Sequence, residues 1–273
     1  MSDTIVAVIS DPHSGGSTAL FPNDIMYFPV SKTNHTPTEE QKKMFEHFTK
    51  CAKQIAKARK GKRLDLVVDG DAIDGDHHSS LEIVTRQKNE QINIHINLMS
   101  YFLGIVNFDR RTDSLHYVAG TEIHSSDAEH IIGEKLKAKQ TPEGHYAWDE
   151  LRLEINGKRV WFVHHGPSAG KGANQGNSLR NWLRDNFFEA LGEGEEPPHF
   201  VITGHTHKPY WTTYIGRYKG TYHCCHGMIC PSWQQKTRFG HKVAPLQQNK
   251  IGMQYFVITD DGIIGEPVEM LMV

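Results

Sequence analysis

The residues best placed to do chemistry are two histidines that directly follow a short apolar run. The run Phe200–Ile202 leads to Gly204, and then His205 and His207 appear with one residue between them. In an extended segment residues i and i+2 point to the same face, so both imidazoles can reach one point. Imidazole is a common ligand of Zn, Mn and Fe, and the glycine lets the backbone turn sharply. The pattern predicts a metal-binding strand end, although two histidines on a surface loop would give the same spacing.

Four further apolar runs end in side chains of the same kind. The segments that follow these runs are Asp11-Pro12-His13, Gly70-Asp71-Ala72-Ile73-Asp74, Gly120-Thr121-Glu122-Ile123-His124 and His164-His165-Gly166. Because ligands of α/β sheets gather at the carboxyl ends of strands, we expect these segments to meet at one edge. Carboxylates and imidazoles without thiolates fit Mn, Fe, Zn or Mg better than a structural cysteine-type zinc site.

The elements that must position these segments alternate between strands and helices in the first half of the chain. β-Branched or continuous apolar runs predict buried strands, and apolar spacing of three and four predicts helices. The predicted strands are Thr4–Ile9, Leu64–Val68 and Leu115–Val118, and the predicted helices run from Thr38 to Gly61, from Thr85 to Ile105 and from Asp127 to Lys139. The polar stretch Ser17–Pro37 is expected to be irregular, as a lid or a substrate wall.

The sequence of the second half predicts mainly antiparallel strands. Asn156-Gly157 lies between two apolar runs and indicates a two-residue hairpin. A helix with Leu179, Leu183, Phe187 and Leu191 on one face ends at Gly192. The remaining predicted strands are Tyr210–Ile215, Gly220–Cys225, Gln254–Thr259 and Val268–Met272. We expect one domain over residues 1–273, an α/β fold with two sheets packed face to face and flanked by helices.

Net charge, the length of the apolar runs and the placement of the cysteines exclude some classes of function but do not identify one. The net charge is −2 and the sequence pI is near 6.8, so no overall basic field favours nucleic acid, although local charge could still bind it. The apolar runs are too short to span a membrane, and the N-terminus lacks a secretory signal pattern. Three of the four cysteines crowd into residues 224–230, which is poor geometry for a disulfide framework. We therefore expect a cytoplasmic protein that makes no membrane contact.

In their order along the chain, these segments resemble the calcineurin-like metallophosphoesterase family. The family pattern is Asp-x-His, Gly-Asp-x-x-Asp, Gly-Asn-His-Asp/Glu, His and Gly-His-x-His. Four of the five blocks match between residues 11 and 207. The resemblance implies a four-layer α/β/β/α sandwich with two mixed sheets. The short first block with its double glycine, the long segment after it and the altered third block also resemble a phage- or prophage-encoded branch.

The resemblance further implies a dinuclear centre that hydrolyses phosphoesters. Asp11, His13 and His207 would bind one metal, His165 and His205 the other, and Asp71 both. A metal-bridging hydroxide would attack phosphorus in line, so Asp71 is catalytic as well as a ligand. The two divalent ions are expected to be Mn²⁺, with Fe, Zn or Mg as alternatives.

The third block departs from the family pattern. Thr121 stands where the family has a metal-binding Asn, and Glu122 stands where it has the acid His. The Thr121 hydroxyl could still bind a metal or its water, and His124 could act as the acid if the loop folds back. Without such an acid, catalysis would depend on the metals and favour good leaving groups.

Several alternatives stay open at this level. The substrate could be a phosphodiester (a cyclic nucleotide or nucleic acid) or a phosphomonoester (a nucleotide or phosphoprotein), and protein partners are not indicated. A regulatory or phage-associated metal-binding protein that keeps the fold but lacks turnover is a rival. We expect Asp74 to orient a ligand and His164 to point away from His165. Asp76, His77 and His78 could line the substrate mouth. Around Cys224, buried thiols are favoured over a second metal site.

Overall fold

The computed structural model describes residues 2–76, 81–243 and 249–272. Two five-stranded sheets and a two-stranded sheet make up its β-structure, together with the helices named here. In chain order the elements are β1 (Thr4–Ser10), β2 (Met26–Phe28), β3 (Thr33–His35), α1 (Glu39–Arg59), β4 (Arg63–Asp69), α2 (Lys88–Ile105), β5 (Ser114–Val118), α3 (Ala128–Lys135), β6 (Leu151–Ile155), β7 (Lys158–Phe162), a 3₁₀ helix (Gly172–Asn174), α4 (Asn177–Gly192), β8 (Phe200–Thr203), β9 (Tyr210–Tyr218), β10 (Thr221–Ile229), α5 (Arg238–Val243), β11 (Gly252–Ile258) and β12 (Val268–Leu271).

The first sheet has the order β12-β11-β1-β4-β5. β1, β4 and β5 run parallel, whereas β11 and β12 pair in antiparallel fashion. Every residue of β1 is buried, as a continuous β-branched run requires when both faces of a sheet are covered. Apolar side chains of α1, α2 and α3 pack on its outer face.

Helix α1 begins where the sequence predicts. The Thr38 hydroxyl accepts a hydrogen bond from the Gln41 backbone N–H at 3.2 Å, and the Gln41 side chain accepts one from the Thr38 N–H at 3.1 Å. This reciprocal pair satisfies two donors that the helix itself leaves without partners.

The second sheet has the order β6-β7-β8-β10-β9. β7, β8 and β10 are parallel, and the Asn156-Gly157 turn joins the antiparallel pair β6 and β7. Leu179, Leu183 and Phe187 of α4 are buried, and Leu183 packs with Val201 and Cys225 on the outer face of this sheet.

A core of side chains from both sheets lies between them. Val6 and Val67 from the first sheet pack in one cluster with Phe162 and Ile202 from the second. Phe200 stacks on Phe256 with ring centroids 4.3 Å apart. Helices, sheet, sheet and helix therefore form successive layers, and the predicted α/β sandwich with two mixed sheets is confirmed.

The hairpin of β2 and β3, the 3₁₀ helix and α5 were not predicted from the sequence, and the expectation that Ser17–Pro37 is irregular throughout is wrong. The stretch Ser17–Pro37 contains the hairpin of β2 and β3, and residues Arg238–Val243 form α5. Across the described ranges, no helix combines the length and apolar character that crossing a bilayer requires.

Candidate metal centre

Five loops that follow β1, β4, β5, β7 and β8 meet at one end of the sandwich. Backbone hydrogen bonds join the loops: the His13 N–H donates to the Asp71 carbonyl at 2.9 Å. The His205 N–H donates to the Asp11 carboxylate at 3.0 Å, and the Thr121 N–H donates to the Asp71 carboxylate at 2.6 Å. The predicted side chains are therefore held by both sheets, and all of them lie in this one region.

One group of possible metal ligands consists of Asp11, His13 and His207. One ligand atom from each lies within 4.8 Å of the others. Nε2 of His207 is 3.1 Å from Oδ1 of Asp11 and 3.3 Å from Nε2 of His13. Asp11 and His13 are buried, so their ligand atoms face one another and not the solvent.

A second group consists of His164, His165 and His205, again with ligand atoms within 4.8 Å. The rings of His165 and His205 have centroids 4.5 Å apart. Both of these residues are exposed, whereas His164 is buried. This group therefore forms the side of the centre that faces solvent.

Asp71 lies between the two groups. Its Oδ2 is 3.8 Å from Nε2 of His13 and 3.2 Å from Nε2 of His164. The Thr121 hydroxyl donates to the same oxygen at 3.2 Å and lies 3.4 Å from Nδ1 of His205. Asp71 thus lies between the two donor groups, where a carboxylate would offset the mutual repulsion of cations held by both.

The expectation that His164 points away from His165 is wrong, because the two ring centroids are 5.0 Å apart. Nδ1 of His164 lies 2.9 Å from the Asp69 carbonyl, and its Nε2 lies 3.2 Å from Asp71. The alternation of faces along a strand does not apply here, because β7 ends at Phe162, two residues earlier. His164 and His165 are therefore both candidates for the single histidine of the fourth block.

The third block folds back as a turn. The N–H groups of His124 and Ser125 both donate to the Thr121 carbonyl. The His124 ring lies edge-on to His13 at 4.9 Å, and its Nδ1 is 2.9 Å from the Asp74 carbonyl. Glu122 is exposed. His124, and not Glu122, is therefore the side chain of this block that faces the centre alongside Thr121.

Asp74 lies beside the ring nitrogen of His13 that faces away from the other proposed ligands. Its Oδ1 is 3.2 Å from Nδ1 of His13 and accepts a hydrogen bond from the Gln234 side chain at 3.0 Å. Of the neighbouring residues that were expected at the substrate mouth, Asp76 is exposed and pairs with Arg86. His77 and His78 lie outside the described residues.

The backbone at five of these residues is left-handed. Asp11, His13, Asp71, His205 and His207 have φ values between 44° and 64°. Residues other than glycine rarely adopt such values, and the strain persists only where surrounding contacts fix the chain. The loop-to-loop hydrogen bonds supply those contacts, and the strained residues are the proposed ligands themselves.

The buried charges at the centre shift one another's pKa. Burial raises the pKa of Asp11, but His207 and His164 outweigh it and hold it at about 2. Burial lowers the pKa of His164, but Asp11 and Asp71 raise it to about 10. Asp71 is held below its ordinary pKa because His164 and His13 outweigh burial. The carboxylates therefore stay ionised and need positive charge beside them.

The donor set fits divalent cations. Asp11 and Asp71 are buried carboxylates, and the buried Nε2 of His164 faces both of them, 3.8 Å from Asp11 and 3.2 Å from Asp71. Burial lowers the pKa of His165 and His205, so both imidazoles keep a lone pair for coordination. Buried carboxylates and histidines without thiolates suit Mn, Fe, Zn or Mg.

Among the described residues, no cysteine belongs to a group of side chains that could hold a metal ion. All four are free, and burial raises the pKa of Cys225 to about 12. His223 instead lies within 4.8 Å of ligand atoms of His199 and Glu196. Nζ of Lys158 is already 3.4 Å from Nε2 of His199, so a cation at this group would meet a positive charge.

Sequence reasoning missed three polar residues near the centre. Asn249 Nδ2 is 3.1 Å from Nδ1 of His207, and Gln234 reaches Asp74. Asp69 is buried with both carboxylate oxygens lacking hydrogen-bond partners, and burial raises its pKa to about 7. Asp69 ends an apolar strand and could have been noticed there. Nothing in the sequence around Asn249 or Gln234 indicates their role.

Comparisons with known proteins add little to this geometry. No protein-family model and no curated protein matches the chain. One solved structure with 11% sequence identity is described as a conserved uncharacterized protein, a predicted phosphoesterase, from Streptococcus pneumoniae TIGR4. The match covers 100% of this chain and 99% of that chain with a TM-score of 0.32. A similarity this distant carries no argument about function.

Proposed function

We propose that the protein is a metal-dependent phosphoester hydrolase. The observation that carries the proposal is the convergence of Asp11, His13 and His207 on one side of Asp71 and of three histidines on the other. This arrangement has two adjoining sets of N and O donors with a carboxylate between them. Phosphoester hydrolysis by two adjacent metals requires such a pair of sites.

Each set of donors would hold one divalent cation, with Mn²⁺ favoured. Asp11, His13 and His207 would form one site; His165 and His205 would form the other, with His164 beside them. When bound, the cations would activate water near neutral pH and neutralise charge on the phosphoryl oxygens.

In this proposal, side chains of the protein orient the metal ligands and supply a proton to the leaving group. Asp71 and Thr121 fix the boundary between the two sites, and Asp74 holds the His13 ring. We assign His124 as the acid that protonates the leaving oxygen, because it is partly exposed and its ring contacts His13. Positioned acid catalysis is worth about 10²–10⁴-fold in rate.

Hydrolysis of chromogenic esters tests the proposal. The purified protein is incubated with bis-p-nitrophenyl phosphate and with p-nitrophenyl phosphate, with and without Mn²⁺. We expect turnover that chelator and Asp71→Asn abolish and that Asp185→Asn, on the exposed surface of α4, leaves intact. The ratio of the two rates distinguishes a diesterase from a monoesterase.

Two results would count against the enzyme. Tight Mn²⁺ binding with no turnover of either ester would favour a metal-binding protein that keeps the fold without catalysis. Turnover that survives Asp71→Asn would show that the hydrolysis arises elsewhere.

A further inference from the structure

Four lysines project from the exposed side of α1 and from its C-terminal cap. Lys50, Lys53, Lys57 and Lys60, hereafter the lysine ridge, are all exposed. They follow one another at intervals of three, four and three residues, which places them on one side of a helix. At 1.5 Å per residue the ridge extends over roughly 15 Å. The ammonium groups therefore form a line, with about one group for each helical turn.

The ridge carries positive charge that the structure does not neutralise. In the described part of the chain, none of these four lysines forms an ion pair with a carboxylate. Lys62, just beyond the ridge, lies 3.6 Å from Asp3. The net charge of the whole chain is −2, so the positive charge here is a local concentration and not a general property of the surface.

Two grooves flank the ridge. One, of about 620 Å³, lies between α1 and the strands β11 and β12, and Tyr255 and Val268 line its wall. The other, of about 550 Å³, includes Phe45 and Asn23. Lys50 and Lys57 line both grooves. Among the described residues, each groove contains a single carboxylate, Glu269 in the first and Glu46 in the second. A ligand on the ridge would thus meet lysines along its length and partly apolar walls beside them.

We propose that the lysine ridge binds single-stranded nucleic acid. Phosphates recur along a strand as the ammonium groups recur along the ridge, and charge pairs of this kind bind without regard to sequence. The partly apolar grooves leave space for sugars and for bases, whose faces pack on aromatic side chains such as Tyr255 and Phe45. A flexible acidic peptide would match the charge but would use neither the regular spacing nor the aromatic walls.

The C-terminal end of the ridge, at Lys60, lies at the end of the sandwich opposite the candidate metal centre. Lys60 and Lys62 stand just before β4, whereas Asp71 follows its carboxyl end. The seven residues of β4 separate Lys60 from the centre by roughly 20 Å. A bound strand could therefore contact the ridge at one point and the centre at another. This consequence for the substrate, though not the binding itself, rests on the proposed function.

Fluorescence anisotropy tests the binding directly. The probe is a fluorescein-labelled single-stranded oligonucleotide with phosphorothioate linkages, titrated with the full chain over a series of salt concentrations. The variant Lys50→Gln/Lys53→Gln/Lys57→Gln removes three charges while keeping residues that favour helix. We expect it to bind at least about tenfold more weakly, with a logarithmic salt dependence shallower by about 2, since each phosphate contact contributes about 0.7.

The matched control is Lys135→Gln/Lys137→Gln/Lys139→Gln, which removes the same charge from exposed positions in and just after α3. Equal weakening in this control would overturn the proposal, because net charge alone would then explain binding. Displacement of the probe by polyglutamate of matched charge as readily as by unlabelled strand would also overturn it. Lack of ester turnover would bear on the proposed function alone, since the readout here is binding.

Discussion

Thr121 is the residue that most distinguishes this centre from the family pattern it resembles. Its backbone N–H and its hydroxyl both donate to Asp71, and the hydroxyl also approaches His205. The hydroxyl donates to the carboxylate through its O–H while its oxygen lone pairs remain available to accept or to bind a cation. Thr121 is thus suited to orient Asp71 whether or not it binds a cation directly.

Removing this hydroxyl should weaken metal binding. Thr121→Val keeps the shape and the backbone hydrogen bond to Asp71 but loses the side-chain contact at 3.2 Å. Changes to groups that orient metal ligands typically cost about 10–100-fold in affinity or activity. Calorimetric titration with Mn²⁺ should show this loss for Thr121→Val and not for Thr121→Ser. Equal Mn²⁺ affinities for the wild type, Thr121→Val and Thr121→Ser would show that the Thr121 hydroxyl does not contribute to metal binding.

Glu129 supports the same loop from the interior. It is buried, and its Oε1 accepts a hydrogen bond from the Ala72 N–H at 3.0 Å, directly after Asp71. Burial raises its pKa to about 7. Glu129 therefore helps to fix the left-handed backbone of Asp71 although it contacts no proposed substrate.

The variant Glu129→Ala should destabilise the fold more than Glu129→Gln. Alanine leaves the buried Ala72 N–H without an acceptor, which costs about 1–3 kcal/mol, whereas glutamine still offers an oxygen. Urea unfolding of the two variants measures the difference. Equal free energies of unfolding would show that the hydrogen bond to Ala72 contributes nothing.

At the scale of elements, α1 follows the hairpin of β2 and β3, leads into β4 and carries the lysine ridge. Its N-terminus is fixed by the reciprocal hydrogen bonds of Thr38 and Gln41. These contacts satisfy two of the free donors at the helix start, so the helix depends on them more than on any single exposed residue.

Thr38→Ala should lower the free energy of unfolding by about 1 kcal/mol, the usual cost of losing an N-cap side chain. Lys43→Ala, at an exposed position in the same helix, is the control and should change it by less than about 0.5 kcal/mol. Thermal or urea unfolding followed by circular dichroism provides the measurement. If both variants unfold alike, the cap does not stabilise α1.

Much of the element order could be predicted from the sequence, for reasons visible in particular segments. Residues Thr4–Ser10 are β-branched and end in a polar loop, and the Asn156-Gly157 turn fixes the hairpin of β6 and β7. The hairpin of β2 and β3 could not be predicted, since Met26–Phe28 and Thr33–His35 are too short for a clear pattern. Its position depends instead on tertiary contacts, such as the Val30 N–H donating to Glu90.

The candidate centre was predicted in its outline but not in its details. The positions of Asp11, Asp71 and His205 follow from apolar runs that end in ligand-type residues. The inward direction of His164 does not, because it lies in a loop whose path is set by contacts with Asp69 and Asp71. Asn249 and Gln234 approach from distant parts of the chain, so only the folded structure reveals them.

For the whole molecule, buried histidines make stability depend on pH. His95 is buried between the Ser14 hydroxyl and the Tyr117 hydroxyl, and burial lowers its pKa to about 3. The folded state therefore keeps His95 neutral while the unfolded chain takes up a proton below its ordinary value of 6.5. Stability from this residue is complete above that pH and decreases as the pH falls towards the folded pKa.

The variant His95→Asn should show a weaker pH dependence than the wild type. Between pH 6 and 4 the difference in slope should approach about 1.4 kcal/mol per pH unit, the value for one proton. Urea unfolding at several pH values measures the slopes, with the exposed His145→Asn as control. Identical slopes for wild type and His95→Asn would show that His95 does not titrate differently on folding.

The division of the proposed ligands between two sheets also means that the candidate centre is complete only late in synthesis. Asp11, His13 and Asp71 emerge early, whereas His205 and His207 follow β8, about three quarters of the way along the chain. A nascent or truncated polypeptide that stops before residue 200 would lack His205 and His207. It would therefore bind a cation at the centre only weakly. On the proposed function, a half-made product would therefore not hydrolyse esters, and activity would appear only after the second half has folded against the first.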